Sequence, residues 1–161
     1  MHLRIIAVGR LRAGPARTLC DDYFKRLGAT GRNIGLDWRG ETELDESRLP
    51  DGRRRKADEA RAISAQLDKS PGRCIVLDER AKAFDSRTFA DTLGDWRDSG
   101  ETCTTFVIGG PDGLDPDFVK GADAALTFGR LTWPHQLVRV MLAEQLYRAS
   151  TILSGHPYHR D

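Results

Sequence analysis

Short apolar runs and amphipathic stretches alternate along this chain from one end to the other. Residues 3–8 are apolar except for Arg4 and read as a buried strand. Gly14-Pro15 opens a helical stretch to Leu27, with proline in its first turn. Residues 34–38 alternate weakly and predict a second strand, and a polar loop with Pro50 and Gly52 follows. Residues 53–67 carry Ala57, Ala60, Ile63, Ala65 and Leu67 at roughly helical spacing, until Pro71-Gly72 stops the pattern. Residues 74–77 form a strand that exits at Asp78. Asp85 or Ser86 caps a helix bearing Phe89, Leu93 and Trp96, closed by Gly100. The β-branched residues 104–108 predict another strand, which runs straight into Gly109-Gly110-Pro111-Asp112-Gly113. Asp115-Pro116 starts a short helix, residues 124–128 make a last strand, and Pro134 begins the longest helix, to about Leu153.

Strands alternating with helices predict an α/β fold, a mostly parallel sheet with helices on both faces. There is no internal repeat, low-complexity linker or composition break, so residues 1–161 are expected to form a single domain. The apolar (39%) and charged (30%) fractions exclude general disorder. No apolar run approaches a membrane span, and the N-terminus enters a strand directly, without a signal peptide, so a cytoplasmic location and no membrane partner are expected. Cys20, Cys74 and Cys103 are widely spaced and form no CxxC pair, which suits buried thiols in a reducing compartment. The net charge is only +1, too low for binding naked nucleic acid by electrostatics alone. Basic residues are nevertheless uneven: Arg53, Arg54, Arg55 and Lys56 form one run, and Arg4, Arg10, Arg12 and Arg17 crowd the N-terminus. Such clusters are either solvated faces or phosphate contacts.

In an open α/β sheet, ligands bind outside the carboxyl ends of the strands. Three exits carry unusual residues: Leu77-Asp78-Glu79, the Gly109 to Gly113 loop, and the segment Phe128, Gly129, Arg130, Leu131, Thr132, Trp133 and Pro134. The glycine loop has neither dinucleotide-fingerprint nor Walker A spacing. It is either a tight turn that needs positive φ or a backbone that must come close to a flat ligand. The third exit could offer backbone groups to an adenine edge, while Trp133 could equally serve the core or an interface. The long helix has apolar residues on more than one stripe, where a surface helix needs one. That fits a partner surface, most simply a homodimer, or a helix buried centrally in the monomer. The tail gathers His156, Tyr158, His159 and Arg160, groups suited to stacking on a base and holding phosphate or a carbonyl oxygen. No third ligand accompanies His156 and His159 at metal-binding spacing, so no metal is expected.

Four blocks then stand in order: Ile108-Gly109-Gly110-Pro111-Asp112-Gly113-Leu114; Leu131-Thr132-Trp133-Pro134-His135-Gln136-Leu137-Val138-Arg139-Val140; Glu144-Gln145-Leu146-Tyr147-Arg148-Ala149; and His156-Pro157-Tyr158-His159-Arg160. Together they resemble the ribosomal large-subunit methyltransferase H family, over essentially the whole chain and most specifically in its C-terminal third. The resemblance implies a SPOUT-type fold with a C-terminal trefoil knot, which no sequence pattern would suggest. It implies a homodimer that binds S-adenosyl-L-methionine in the knot and methylates N3 of a pseudouridine in 23S rRNA of the assembled ribosome. By position, the cofactor contacts would be Leu77, Gly109, Gly110, Phe128, Gly129, Arg130, Leu131, Thr132 and Trp133. Trp133 stands where smaller apolar residues are common in the family, and residues 39–69 match poorly, so the basic run inherits no role.

Methyl transfer from a sulfonium needs donor and acceptor held close and in line. The acceptor N3–H must also lose its proton, to a neutral imidazole or with a cation stabilising the anion. His159, Arg160 and Tyr158 are the catalytic candidates. Competing expectations are a SPOUT methyltransferase with another RNA target, a non-catalytic ribosome-associated binding module and, more remotely, a metal-dependent hydrolase.

Overall fold

A computed structural model of the chain describes residues 1–160. Five strands form one sheet: β1 (His2–Val8), β2 (Asp37–Leu44), β3 (Arg73–Leu77), β4 (Cys103–Ile108) and β5 (Ala124–Leu126). Their spatial order is β2-β1-β4-β3-β5, and every pairing is parallel. Five helices connect them: α1 (Pro15–Arg32), α2 (Gly52–Leu67), α3 (Ser86–Asp98), α4 (Pro116–Gly121) and α5 (His135–Leu153). Asp51, Asp85 and Asp115 each cap a helix by accepting from backbone N–H groups in its first turn.

The strand pleat sorts the core into two layers. Leu3, Ile5, Ala7, Ile75, Phe106 and Ile108 face α1, α3 and α5, while Ile6, Val8, Val76 and Val107 face Ile63 of α2 and the segment around α4. Helices therefore cover both faces, as the alternating pattern predicts. No helix is long and apolar enough to cross a membrane.

The second strand differs most from expectation. It lies at Asp37–Leu44, beyond the predicted residues 34–38, because it is a polar edge strand without an apolar stripe. Its register against β1 slips between Leu3 and Ile5, so that β2 carries one extra residue there. Gly40, at φ +105°, supplies the backbone conformation this bulge requires. The bulge brings Glu41 and Glu43 onto the side of the sheet where Arg139 of α5 lies. The Arg139 guanidinium is almost fully buried, with Nη1 3.1 Å from Glu41 and 2.6 Å from Glu43, and it also donates to the Gly9 carbonyl. Arg17 completes the cluster, 3.4 Å from Glu41 and 2.7 Å from Glu43. Arg17 is thus part of a structural ion network, not of a solvated basic face.

The long helix also resolves differently from the interface reading. α5 packs on one side against α1 and on the other against α3, so its second apolar stripe is covered within the monomer. What stays open is its N-terminal end, where Leu131, Trp133 and Leu137 are exposed. α1 runs to Arg32, past Gly28 and Gly31; a Cβ on Gly31 would lie 2.4 Å from the Leu36 carbonyl oxygen, so glycine lets the chain turn tightly into β2. Cys20 and Cys103 are buried, whereas Cys74 is only half-buried.

Candidate functional site

β4, β3 and β5 are neighbours, so loops far apart in sequence leave their carboxyl ends side by side. These loops enclose a cleft of about 690 Å³. Leu77, Ile108, Leu126, Phe128, Leu114 and Val138 give it apolar surface, and Gly109, Gly110, Gly129 and Thr132 give it accessible backbone. An apolar slot with a few fixed polar groups suits a small, flat, partly polar ligand. Leu77, Gly109, Gly110, Phe128, Gly129, Leu131, Thr132 and Trp133 all line it; Arg130 is exposed and does not. Lys56, Asp78, Arg80, His135 and Val138 also line the cleft and were not among the expected contacts. Neighbouring motifs flagged Asp78 and His135, but nothing in the sequence brings Lys56 to this place.

The walls are tied together locally. The Arg80 backbone N–H and Nε donate to Asp78 Oδ1 at 2.8 and 3.0 Å, and Nη2 donates to Oδ2 at 2.8 Å. These bonds hold the Asp78 carboxyl below the usual carboxylate range although its burial pushes the other way. Asp78 therefore contributes a neutralised pair, not a free acid. The Thr132 hydroxyl donates to Glu79 at 3.2 Å, which links the last loop to the β3 exit. Thr127 turns that loop: its hydroxyl donates to the Gly129 carbonyl at 2.9 Å and accepts from the Gly129 N–H at 3.1 Å.

The glycine loop fits both of its sequence readings in part. Gly113, at φ +79°, is the turn glycine; Gly109 and Gly110 have no such φ. A Cβ on Gly109 would lie 2.9 Å from Leu114 Cγ and 3.0 Å from the Gly113 carbonyl carbon. On Gly110 it would meet Val8 at 3.0 Å and Glu59 at 3.2 Å. Packing within the loop thus dictates Gly109, and packing against β1 and α2 dictates Gly110, which leaves bare backbone along the cleft.

The tail does not join this cleft within one chain. Tyr158 turns back onto α5: its hydroxyl donates to Glu144 at 3.1 Å, and its ring centre lies 4.7 Å from that of Tyr147. Arg148 lies over the same ring at 5.0 Å and is also ion-paired with Glu144. Burial, then hydrogen bonding with Tyr23, pushes the Tyr158 phenol well above its ordinary range, so it stays protonated. His159 Nδ1 is 3.2 Å from an Arg148 guanidinium nitrogen. A guanidinium offers only donors, so Nδ1 accepts and a neutral ring carries its proton on Nε2. Glu144 and Tyr147 are six and nine residues along α5 from Val138 in the cleft wall, about 9 to 14 Å at the helical rise. None of residues 156–160 lines the cleft. The described residues contain no group of three His, Cys, Asp or Glu side chains gathered for a metal.

Comparison with known proteins agrees with this architecture. The family model described as "Predicted SPOUT methyltransferase" matches residues 1–159. Proteins named ribosomal RNA large subunit methyltransferase H are similar end to end: 53% identical in Bradyrhizobium diazoefficiens, over 99% of both chains. The Allorhizobium ampelinum relative is 52% identical and the Rhodopseudomonas palustris one 51%, again over 99% of each chain. A solved Bacillus anthracis protein, provisionally described as an RNA methyltransferase, has a TM-score of 0.48 at 16% identity, covering 97% of this chain and 96% of that one; at that distance it adds nothing to the assignment. The fold is that of a SPOUT methyltransferase, and the chain belongs to that family, within its ribosomal RNA large subunit methyltransferase H group.

Proposed function

We propose that this protein is a single-domain, S-adenosyl-L-methionine-dependent methyltransferase that modifies N3 of a pseudouridine in 23S rRNA of the assembled ribosome, in the bacterial cytoplasm. The observation that carries the reading is the convergence of three strand exits on one cleft, in a chain about half identical to relatives named for large-subunit rRNA methylation. The cleft suits the cofactor. Leu77, Leu126, Phe128 and Val138 offer apolar contact for an adenosine, and the Gly109–Gly110 and Gly129 backbones offer polar groups at its rim. When bound there, the cofactor supplies an electrophilic methyl group on a sulfonium. On this reading, residues 127–134 return past the β3 and β4 exits to reach α5, the threading expected of a trefoil knot.

The protein also acts as a homodimer on this reading. One subunit holds its cleft near the start of α5 and its tail near the end, so a second copy is needed to bring a tail to a cleft. Exposed Leu131 and Trp133, on the wall of the cleft, and exposed Leu137 of the adjoining α5 give that copy apolar surface to cover. The tail's part is charge and orientation. Tyr158 fixes the turn, Arg148 holds His159 in place beside it, and Arg160 supplies a cation that favours an anionic base. Positioning then does most of the work.

The test is transfer of labelled methyl from S-adenosyl-L-methionine to ribosomes prepared with and without prior pseudouridylation. Incorporation only into pseudouridylated ribosomes, mapped to N3 by nucleoside mass spectrometry, is expected. Equal incorporation into both would overturn the substrate assignment.

A further inference from the structure

Of the basic run 53–56, Lys56 lines the cleft, and a second member reaches its wall. Arg54 pairs with the cap residue Asp51 at 3.2 Å and stays on the helix surface. Arg55, by contrast, crosses to the glycine loop. Its Nε donates to Asp112 Oδ2 at 2.6 Å and its Nη2 to Oδ1 at 3.1 Å, a bidentate clasp. Its Nη1 donates to the Leu49 carbonyl at 3.0 Å, so one guanidinium bridges the approach to α2, the helix itself and the loop. The clasp holds Asp112 below the usual carboxylate range. One turn further along α2, Glu59 is buried and accepts from the Ser47 N–H at 3.0 Å. Its carboxylate would lie 3.2 Å from a Cβ on Gly110, and a Cβ on Gly52 would lie 3.3 Å from Asp112. The first turns of α2 thus fit closely against the back of Gly110–Asp112.

Within the loop, the one backbone bond among the described residues runs from the Gly113 N–H to the Gly110 carbonyl, at 2.9 Å. The Arg55–Asp112 clasp is the one side-chain hydrogen-bonded tie to the loop among them. We infer that Arg55 is a positioning residue for the cofactor cleft: through Asp112 it holds the Gly109–Gly113 wall in the shape that accepts the methyl donor. This rests on the reading of the cleft as an S-adenosyl-L-methionine site. Arg55 is then neither a solvated cation nor a phosphate contact, while Arg53 and Arg54 remain on the exposed face of the helix. A partly exposed ion pair adds little to global stability, so a purely structural role would leave no mark on ligand affinity.

The experiment compares wild type with Arg55→Ala, Arg53→Ala and the exchange Arg55→Asp/Asp112→Arg. Two readouts are taken: amide hydrogen exchange across residues 109–114, without ligand, and S-adenosyl-L-methionine affinity by calorimetry. Arg55→Ala is expected to speed exchange in this segment, leave β1 and β4 protected, and weaken affinity about tenfold, one decade of the binding constant. Arg53→Ala, which removes the same charge two residues away, is expected to change neither. The exchanged pair is expected to recover part of both losses. Unchanged exchange in Arg55→Ala would overturn the clasp. Faster exchange with wild-type affinity would overturn the positioning role. Failure of the wild type itself to bind S-adenosyl-L-methionine would overturn the reading of the cleft and the positioning role with it, while the exchange result would still report on the clasp.

Discussion

Arg139→Ala removes the cation from the best-buried ion cluster in the fold. It leaves the Glu41 and Glu43 side chains, 8% and 25% exposed, with Arg17 alone to face them. Breaking a buried pair from one side strands a charge and costs about 3–5 kcal/mol. Arg17 remains and Glu43 is partly exposed, so the low end applies, about 3 kcal/mol. For a chain of this size that is a fall of about 6–12 °C in Tm. The loss should depend on pH. Burial already raises the Glu41 carboxyl above its ordinary range, with Arg139 pulling it back, so the variant raises it further. A carboxyl whose folded value exceeds its unfolded one stabilises the fold when protonated. That contribution is fully present below the unfolded value and is lost as pH rises through the folded value. The deficit of Arg139→Ala should therefore shrink between neutral pH and about pH 5. Glu41→Gln combined with Arg139→Met, which removes both charges, should recover most of it. Chemical denaturation at matched protein concentration measures all three. A loss below about 1 kcal/mol, within reach of ordinary surface substitutions, would refute the reasoning, as would a deficit identical at both pH values.

Gly109→Val forces a branched side chain against Leu114 and Gly113 and distorts the cleft wall; calorimetry should find S-adenosyl-L-methionine affinity lost in a folded variant, and an unchanged value would contradict the site. Deleting residues 155–161 removes the packing of Tyr158 on Tyr147 but leaves sheet and cleft, so cofactor binding should persist while methyl transfer nearly vanishes. With a net charge of +1, naked 23S rRNA should be a poor substrate beside assembled ribosomes, and equal rates would refute this.

Where apolar residues define a strand the sequence was easily read: β1 and β4 lie almost where their apolar runs do, because central parallel strands are buried on both faces. β2 was misplaced for the opposite reason. Its inward residues include Glu41 and Glu43, whose partner Arg139 comes from a helix about a hundred residues later, and no local pattern announces a buried carboxylate. The apolar breadth of α5 was visible, but not that α1 and α3 cover both sides of it. The cleft was legible because strand exits are marked by glycine, proline and a change of period. The clasp of Arg55 on Asp112 was not, since it joins positions 57 residues apart. Nor could the sequence say that the tail folds back along α5, away from its own cleft.

The proposed site is made of one subunit's cleft and another's tail. A His159→Ala/Arg160→Ala subunit mixed with a Gly109→Val subunit tests this most directly. Each homodimer lacks one half of every site, whereas a mixed dimer retains one site with both halves sound. After subunit exchange, labelled methyl transfer to ribosomes should reappear, approaching about a quarter of wild type at equal random mixing in a two-fold dimer. Verified mixed dimers that stay inactive would contradict a site shared between subunits.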